Sequence, residues 1–173
     1  FIEDNSLVRE FLINNHIQGY VGSVYKLGLF YDNELVSLMN FGNLRKNLGQ
    51  KSISGSYELL RFCNKLDTTV IGGASKLLNY FIKNIEVNSI LSYADKRWSN
   101  GNLYEQLGFV KIKNTIPNYF YIVGDKREGR FKYRKDLLIK EGFDPTLTEI
   151  QIQHDRGYYR IFDKGSIRYE LKI

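Results

Sequence analysis

Leu7, Val8, Phe11 and Leu12 recur between polar neighbours at the spacing of one helix face. They predict a helix over 3–15, with Asn5 or Ser6 as its cap. The period then changes. "VYKLGLFYDNELVSLMNFG" (24–42) places two apolar-rich runs on either side of Asp32-Asn33, which predicts a β-hairpin turning there. Residues 43–56 are polar and basic with Gly and Ser, and predict a mobile loop. "YELLRFCNKL" (57–66) reads as a third strand, 67–84 as a loop leading into a helix over 75–84, and "SILSYAD" (89–95) as a further strand. "NGNLYEQLGF" (100–109) predicts a short helix, and "VKIKNT" and "NYFYIVGD" two strands. The tail carries helical patterns near 132–141 and 147–155, then a closing hairpin, "YYRIFDKGSIRYELKI", turning at Asp163-Lys164-Gly165.

A strand, glycine loop, helix and strand in succession require a parallel crossover, whereas hairpins pair antiparallel. The expected class is therefore α/β (α+β): a mixed, mainly antiparallel twisted sheet with a central parallel pair and flanking helices. A main domain is expected over 1–125. A basic C-terminal extension, a small helix and hairpin appendage, follows over 126–173.

The chain has 173 residues, enough for one real core, and only two prolines, so most of it should be ordered. Its single cysteine, Cys63, excludes an intramolecular disulfide and reads as a buried strand residue. Two histidines and one cysteine make no ligand cluster, so no metal is expected. No apolar run approaches membrane-spanning length and no signal-peptide pattern opens the chain. It begins at Phe1 rather than Met, which predicts that residues precede it.

The net charge is +6, from 25 basic and 19 acidic residues. Its distribution is more informative. Between Lys126 and Lys140 seven bases, among them Arg127, Arg130, Lys132, Arg134 and Lys135, face two acids, with Phe131 and Tyr133 interleaved. This is either a phosphate-tracking patch or a solvated basic face.

Several residues carry possible chemistry. Gly72 and Gly73 precede a helix whose first N–H groups can receive a phosphate; equally, a tight turn needs glycine there. His16 sits among Asn14, Asn15 and Gln18, either to accept a proton or as a plain helix-end residue. Arg61 lies among Leu59, Leu60, Phe62 and Cys63 and needs an anionic partner. Asp95, at a neighbouring strand end, is the favoured one, because an offset of three places Glu58 on the opposite strand face. Lys96, Arg97 and Trp98 then form a rim of charge and a ring for stacking, unless Trp98 plugs the core. Asn100 and Asn102 can cap the next helix or bind a ligand, and Tyr104 either packs or donates a proton. His154 has no evident partner. There is no compact His/Asn/His set and no GIY-YIG pair, so no nuclease motif is present.

Thr69-Val70-Ile71-Gly72-Gly73-Ala74, continued by Ser75, and "NGNLYEQLGF" resemble the two central motifs of the GNAT (Gcn5-related N-acetyltransferase) superfamily. The resemblance implies that the 69–75 loop cradles the pyrophosphate of acetyl-CoA or a related acyl donor. It also implies that the helix of Asn102 and Tyr104 holds the reacting end, with Tyr104 protonating the thiolate. Thr69 stands where the family has Arg or Gln, so the usual positive charge is missing. "NNHIQGY", "ELLRFCNKLDTTVIGGASKL", "SYADKRWSNGNLYEQLGF", "PNYFY" and "TEIQIQHDRGYYRIFDKG" resemble the GNAT-like domain of some phage homing endonucleases and, distantly, the phage Mom family, which modifies adenine in DNA. That resemblance implies His16, Arg61, Asp95 and Tyr104 as catalytic residues and DNA as partner. It also implies a nuclease domain in a longer parent chain and the cytoplasm of an infected bacterium as location. Only two alanines, Ala74 and Ala94, suggest an AT-rich genome. The expected function is a DNA-modifying acyltransferase; the alternative is a non-catalytic DNA-binding domain accompanying a nuclease.

Overall fold

A computed structural model describes residues 1–44 and 53–173; most of the loop expected over 43–56 lies outside the described residues. In chain order the elements are α1 (Asn5–Asn15), β1 (Tyr25–Tyr31), β2 (Glu34–Asn43), β3 (Ser56–Asn64), α2 (Gly73–Asn84), β4 (Ser89–Asp95), α3 (Asn102–Gln106) and β5 (Val110–Asn114). There follow β6 (Tyr119–Val123), β7 (Lys126–Gly129), a 3-10 turn (Arg130–Tyr133), α4 (Lys135–Lys140), α5 (Glu149–Asp155), β8 (Tyr159–Phe162) and β9 (Ser166–Lys172). They form two compact units. The first comprises 1–94, 99–113 and 167–173, and the second 95–98 and 114–166, whereas the sequence reading divides the chain at 125/126.

The first unit is built on a six-stranded sheet in the order β1-β2-β3-β4-β9-β5. β1, β2 and β3 pair antiparallel, and β3 and β4 pair parallel across the α2 crossover, as the mixed fold requires. The β1–β2 turn uses Asp32 and Asn33, both with positive φ (47° and 64°), a conformation short polar side chains tolerate. One sheet face packs on α1: Val8, Phe11 and Leu12 bury against Leu35 and Leu38. α1 is capped by Asp4, whose Oδ1 accepts from Ser6 N (2.7 Å) and Leu7 N (3.2 Å), one residue earlier than the sequence suggests. The other face packs on α2. Phe81 lies flat on Phe41 (3.8 Å, 5°) and meets Tyr25 and Tyr57 edge-on, beside Leu27, Met39, Leu59 and Ile90.

The second unit is a three-stranded sheet, β7-β6-β8, in which β6 and β7 form a hairpin that the basic composition of 126–129 had hidden. Glu149 of α5 holds it together. Its Oε1 accepts from the Tyr119 and Tyr121 hydroxyls (2.8 and 2.7 Å) and from Arg160 Nη2 (2.7 Å). The expected closing hairpin does not form: β8 pairs with β6, while β9 enters the six-stranded sheet between β4 and β5. The reason is local. Asp163 Oδ1 accepts from Asn118 N and Gly165 N (both 2.8 Å), so the side chain takes up backbone donors where a hairpin turn would fold the strands together.

Because Phe81 contacts rings from three strands with no exposed surface, Phe81→Ala should cost about 3–5 kcal/mol of unfolding free energy, measured by urea denaturation.

Candidate functional site

The chemistry of the first unit starts from one extra residue. Asn40 pairs with Arg61 and Phe41 with Leu59, so Leu60 has no partner on β2 and forms a β-bulge. A bulge resets the alternation of faces. Glu58 and Arg61, three apart, therefore lie on the same sheet face, which corrects the expectation that they point oppositely. Glu58 is 2% exposed, a carboxylate that strand alternation alone had set aside. Arg61 donates from Nε to the carbonyl of Gly19 (3.1 Å) and from Nη1 to that of Leu60 (2.8 Å). Past the bulge the parallel pair parts. β3 and β4 are paired only from Ser56–Ser89 to Glu58–Leu91, although β3 continues to Asn64 and β4 to Asp95. Ser92 Oγ, donating to Leu59 O (2.9 Å), closes the paired end of this opening.

α2 follows β3 directly. Its cap, Gly72, has φ 69°, and no side chain caps the helix, so first-turn N–H groups have no side-chain acceptor. Gly73 is held close: a Cβ there would stand 3.0 Å from Val70 Cγ1. Thr69, Ile71 and Ser75 are exposed, while Val70 and Ala74 are half-buried. Thr69 brings no charge, but Lys76, on the helix's first turn and exposed, does. Its place inside the helix, three residues past the Gly72-Gly73 pair, lies outside the loop motif.

Tyr104 is the third component. Gly101, with φ 92°, starts α3 so close to Tyr169 that any side chain would overlap its ring. Tyr104 stacks on Tyr169 (5.0 Å, 22°) and meets Phe109 edge-on (5.6 Å), so its ring packs in the core cluster shared with α2. Its hydroxyl hydrogen-bonds with Ser92. Burial pushes its pKa up, the Ser92 bond and the Arg61 charge oppose that rise, and Glu58 adds to it. The phenol therefore stays protonated near neutral pH. Asn102 does not cap α3: its N–H bonds to Asn100 Oδ1 (3.2 Å) and its Oδ1 accepts from Gln106 (3.4 Å).

His16 ends α1 and is tied to Arg61 through Gly19, whose N–H bonds to the His16 carbonyl (2.8 Å) and whose carbonyl receives Arg61. Burial first, and the Arg61 charge second, pull its pKa down to about 4. The neutral ring has one lone pair, and Nδ1 spends it accepting from Gln18 N (3.0 Å). The remaining Nε2–H is then a donor. Cys63, half-buried, has its thiol pushed up to about 11 by burial and stays protonated.

His16, Arg61 and Tyr104 thus belong to one electrostatic neighbourhood. Asp95 belongs to the second unit, where its carboxylate is gripped by Arg97: Nη2 to Oδ2 at 2.6 Å, Nε to Oδ1 at 3.0 Å, and Arg97 N to Oδ1 at 3.0 Å. Arg97 is accordingly no free rim cation. Trp98 is 62% exposed, which removes the core-plug alternative, and Lys96 is exposed. Within the basic segment Lys132 pairs with Glu128 (3.0 Å) and Arg134 with Asp136 (3.0 Å), whereas Lys135 is exposed on the first turn of α4. Arg127 lies over the Phe120 ring (4.6 Å), and Arg130 over Tyr119 and Phe131 (5.1 and 5.6 Å). His154 has a partner after all, meeting Tyr159 edge-on at 5.3 Å. Among the described residues no group of His, Cys, Asp or Glu could hold a metal, and no helix is long and apolar enough to cross a membrane.

No protein-family model and no curated protein matches the sequence. Solved structures do. The chain is similar to the ribosomal-protein-S18-alanine N-acetyltransferase of Escherichia coli, with TM-score 0.55 and 15% identity over 99% of this chain and 90% of that one. Lower scores relate it to a Bacillus subtilis acetyltransferase in complex with CoA (TM-score 0.47, 13% identity, 98% and 84% covered). They also relate it to a GNAT-family acetyltransferase of Bacillus cereus (0.45, 13%, 85% and 69%). The fold is GNAT-like.

The neutral burial of His16 has a pH consequence. The unfolded ring binds a proton near 6.5 and the folded one only near 4, so stability falls as pH drops through that window. NMR titration should place the folded midpoint near 4, and His16→Gln should flatten the stability loss between those two values.

Proposed function

We propose that this protein is an acyltransferase that takes an acyl group from a coenzyme A thioester and transfers it to an amine. The observation that carries the reading is the opening between β3 and β4, with an uncapped helix start on one side and a protonated tyrosine on the other. The uncapped N–H groups of α2 fit a pyrophosphate, with Lys76 supplying the charge Thr69 lacks. Beyond Glu58 and Leu91 the two strands no longer pair with each other, and the gap between them suits an amide-bearing arm. The donor supplies an activated acyl group on a thiol leaving group.

The opening joins the two sheet faces, and this sorts the proton traffic. Tyr104 and Ser92 belong with the α2 face, where the Tyr104 hydroxyl gives its proton to the departing sulfur. Glu58 and Arg61 lie on the other face. There the Glu58 carboxylate, in place of His16, receives the proton that the attacking amine loses. The basic, aromatic tail and the sequence resemblance extend the acceptor to a nucleobase amine of DNA. A second reading, a non-catalytic nucleic-acid-binding domain, is favoured by the missing charge at Thr69 together with the basic, aromatic tail.

Calorimetry with coenzyme A should show binding that Gly72→Asp weakens by about tenfold or more, since a carboxylate then meets the pyrophosphate. Tyr104→Phe should retain that binding and lower transfer about a hundredfold or more. Mass spectrometry of nucleosides from DNA co-expressed with either form reads the acceptor. A folded protein that does not bind coenzyme A would sink the transferase reading.

A further inference from the structure

α1 and α2 lie on opposite faces of the six-stranded sheet, and the end of α1 is bonded toward both. Cys63 packs with α1, and Arg61, two residues away on β3, shares that face. Asn15 is the last residue of α1. Its Nδ2 donates to Phe11 O (2.8 Å), and its Oδ1 accepts from Leu66 N (2.7 Å), which fastens the helix end to the chain just past β3. His16 follows. Its carbonyl receives Gly19 N (2.8 Å), and the Gly19 carbonyl receives Arg61 Nε (3.1 Å). Residues 15–19 therefore connect the turn that leads into α2 with the guanidinium on the Glu58 face.

Neither end of this connection is held by packing. Lys65 to Thr68 form a turn closed by Thr68 N to Lys65 O (3.2 Å), with Leu66 63% exposed and Asp67 in the left-handed region (φ 58°). At the other end Ile17 is 66% exposed, and a Cβ on Gly19 (φ 61°) would meet nothing within 4 Å. Segments fixed by a few hydrogen bonds, with little buried apolar surface, shift at low cost. The turn runs straight into the 69–75 loop, where Gly73 N bonds to Val70 O (3.2 Å) and ties the loop to the start of α2. A pyrophosphate on the first N–H groups of α2 fixes that loop. It thereby acts on Leu66 and, through the Asn15 oxygen, on the end of α1.

We propose that Asn15 is a positioning residue: by holding Leu66 it transmits donor binding at the α2 loop to the His16–Gly19 segment, and so to Arg61 on the acceptor face. Asn15 acts through Leu66 and Gly19, not on the reacting atoms. This regulation rests on the transferase reading of the same site. The acceptor face is set when the donor loop is occupied, and by linkage an acceptor tightens donor binding by the same factor.

The test uses the full chain, with coenzyme A as the probe and the imidazole signals of its two histidines, His16 and His154, read by heteronuclear NMR. Calorimetry on the same samples reports coenzyme A binding. At saturation the His16 signals should shift, while those of His154, in the second unit, stay in place as the reference. Asn15→Leu removes the oxygen that Leu66 N needs. Leu66→Pro removes the N–H itself and leaves Asn15 intact; proline suits the first central residue of a turn whose second has positive φ. Each variant should bind coenzyme A about fivefold more weakly and, at saturation, lose most of the His16 shift. Asn15→Asp keeps an acceptor for Leu66 N and should keep the shift. Circular dichroism establishes that each variant folds. An unmoved His16 in the saturated wild type, or an undiminished shift in both folded variants, would overturn the proposal and leave the transferase reading standing. A folded wild type that binds no coenzyme A ends both, and calorimetry tells the two failures apart.

Discussion

The β-bulge at Leu60 is the constraint from which the rest of the candidate site follows. An extra residue in β3 turns Arg61 to the face of Glu58, and it marks where β3 and β4 stop pairing. Parallel strands that part no longer satisfy each other's backbone donors and acceptors, so other groups must take that role. Here the partner proposed is the donor's amide-bearing arm. A regular β3 would close the opening and place Arg61 among the apolar side chains under α2, where its charge would be costly.

Burial, more than neighbouring charge, decides the protonation states around that opening. It is the first cause for His16, Tyr104 and Cys63, and in each case it favours the neutral form. Arg61 modulates all three, opposing the rise at Tyr104 and Cys63 and deepening the fall at His16. The result is a neutral imidazole, a protonated phenol and a protonated thiol around the opening. The second unit is organised differently, by one carboxylate oxygen of Glu149 that receives two phenols and a guanidinium. Burial first, and that same acceptor second, push the Tyr121 phenol up to about 12.

The elements were largely legible in the sequence, because they rest on short-range physics. The helical spacing of Val8, Phe11 and Leu12, the Asp32-Asn33 turn, and the glycine pair before α2 are each set by residues a few positions apart. From these the mixed sheet and its parallel pair follow. The glycine loop and the Tyr104 helix could likewise be singled out, since a turn, a helix start and a packed aromatic are local patterns.

Only the tertiary structure decided what depends on register and on partners. No residue pattern announces that Leu60 is skipped by β2, so Glu58 was set aside on a face it does not occupy. No local signal says that His16 Nδ1 is taken by a backbone N–H, that Arg97 holds Asp95, or that β9 leaves β8 for another sheet. The basic run shows the limit best. Its composition gives a charge, but which cations are neutralised depends on Glu128 and Asp136 reaching Lys132 and Arg134 while Arg127 and Arg130 settle on rings. Charge is a property of the sequence; whether a charge is available is a property of the fold.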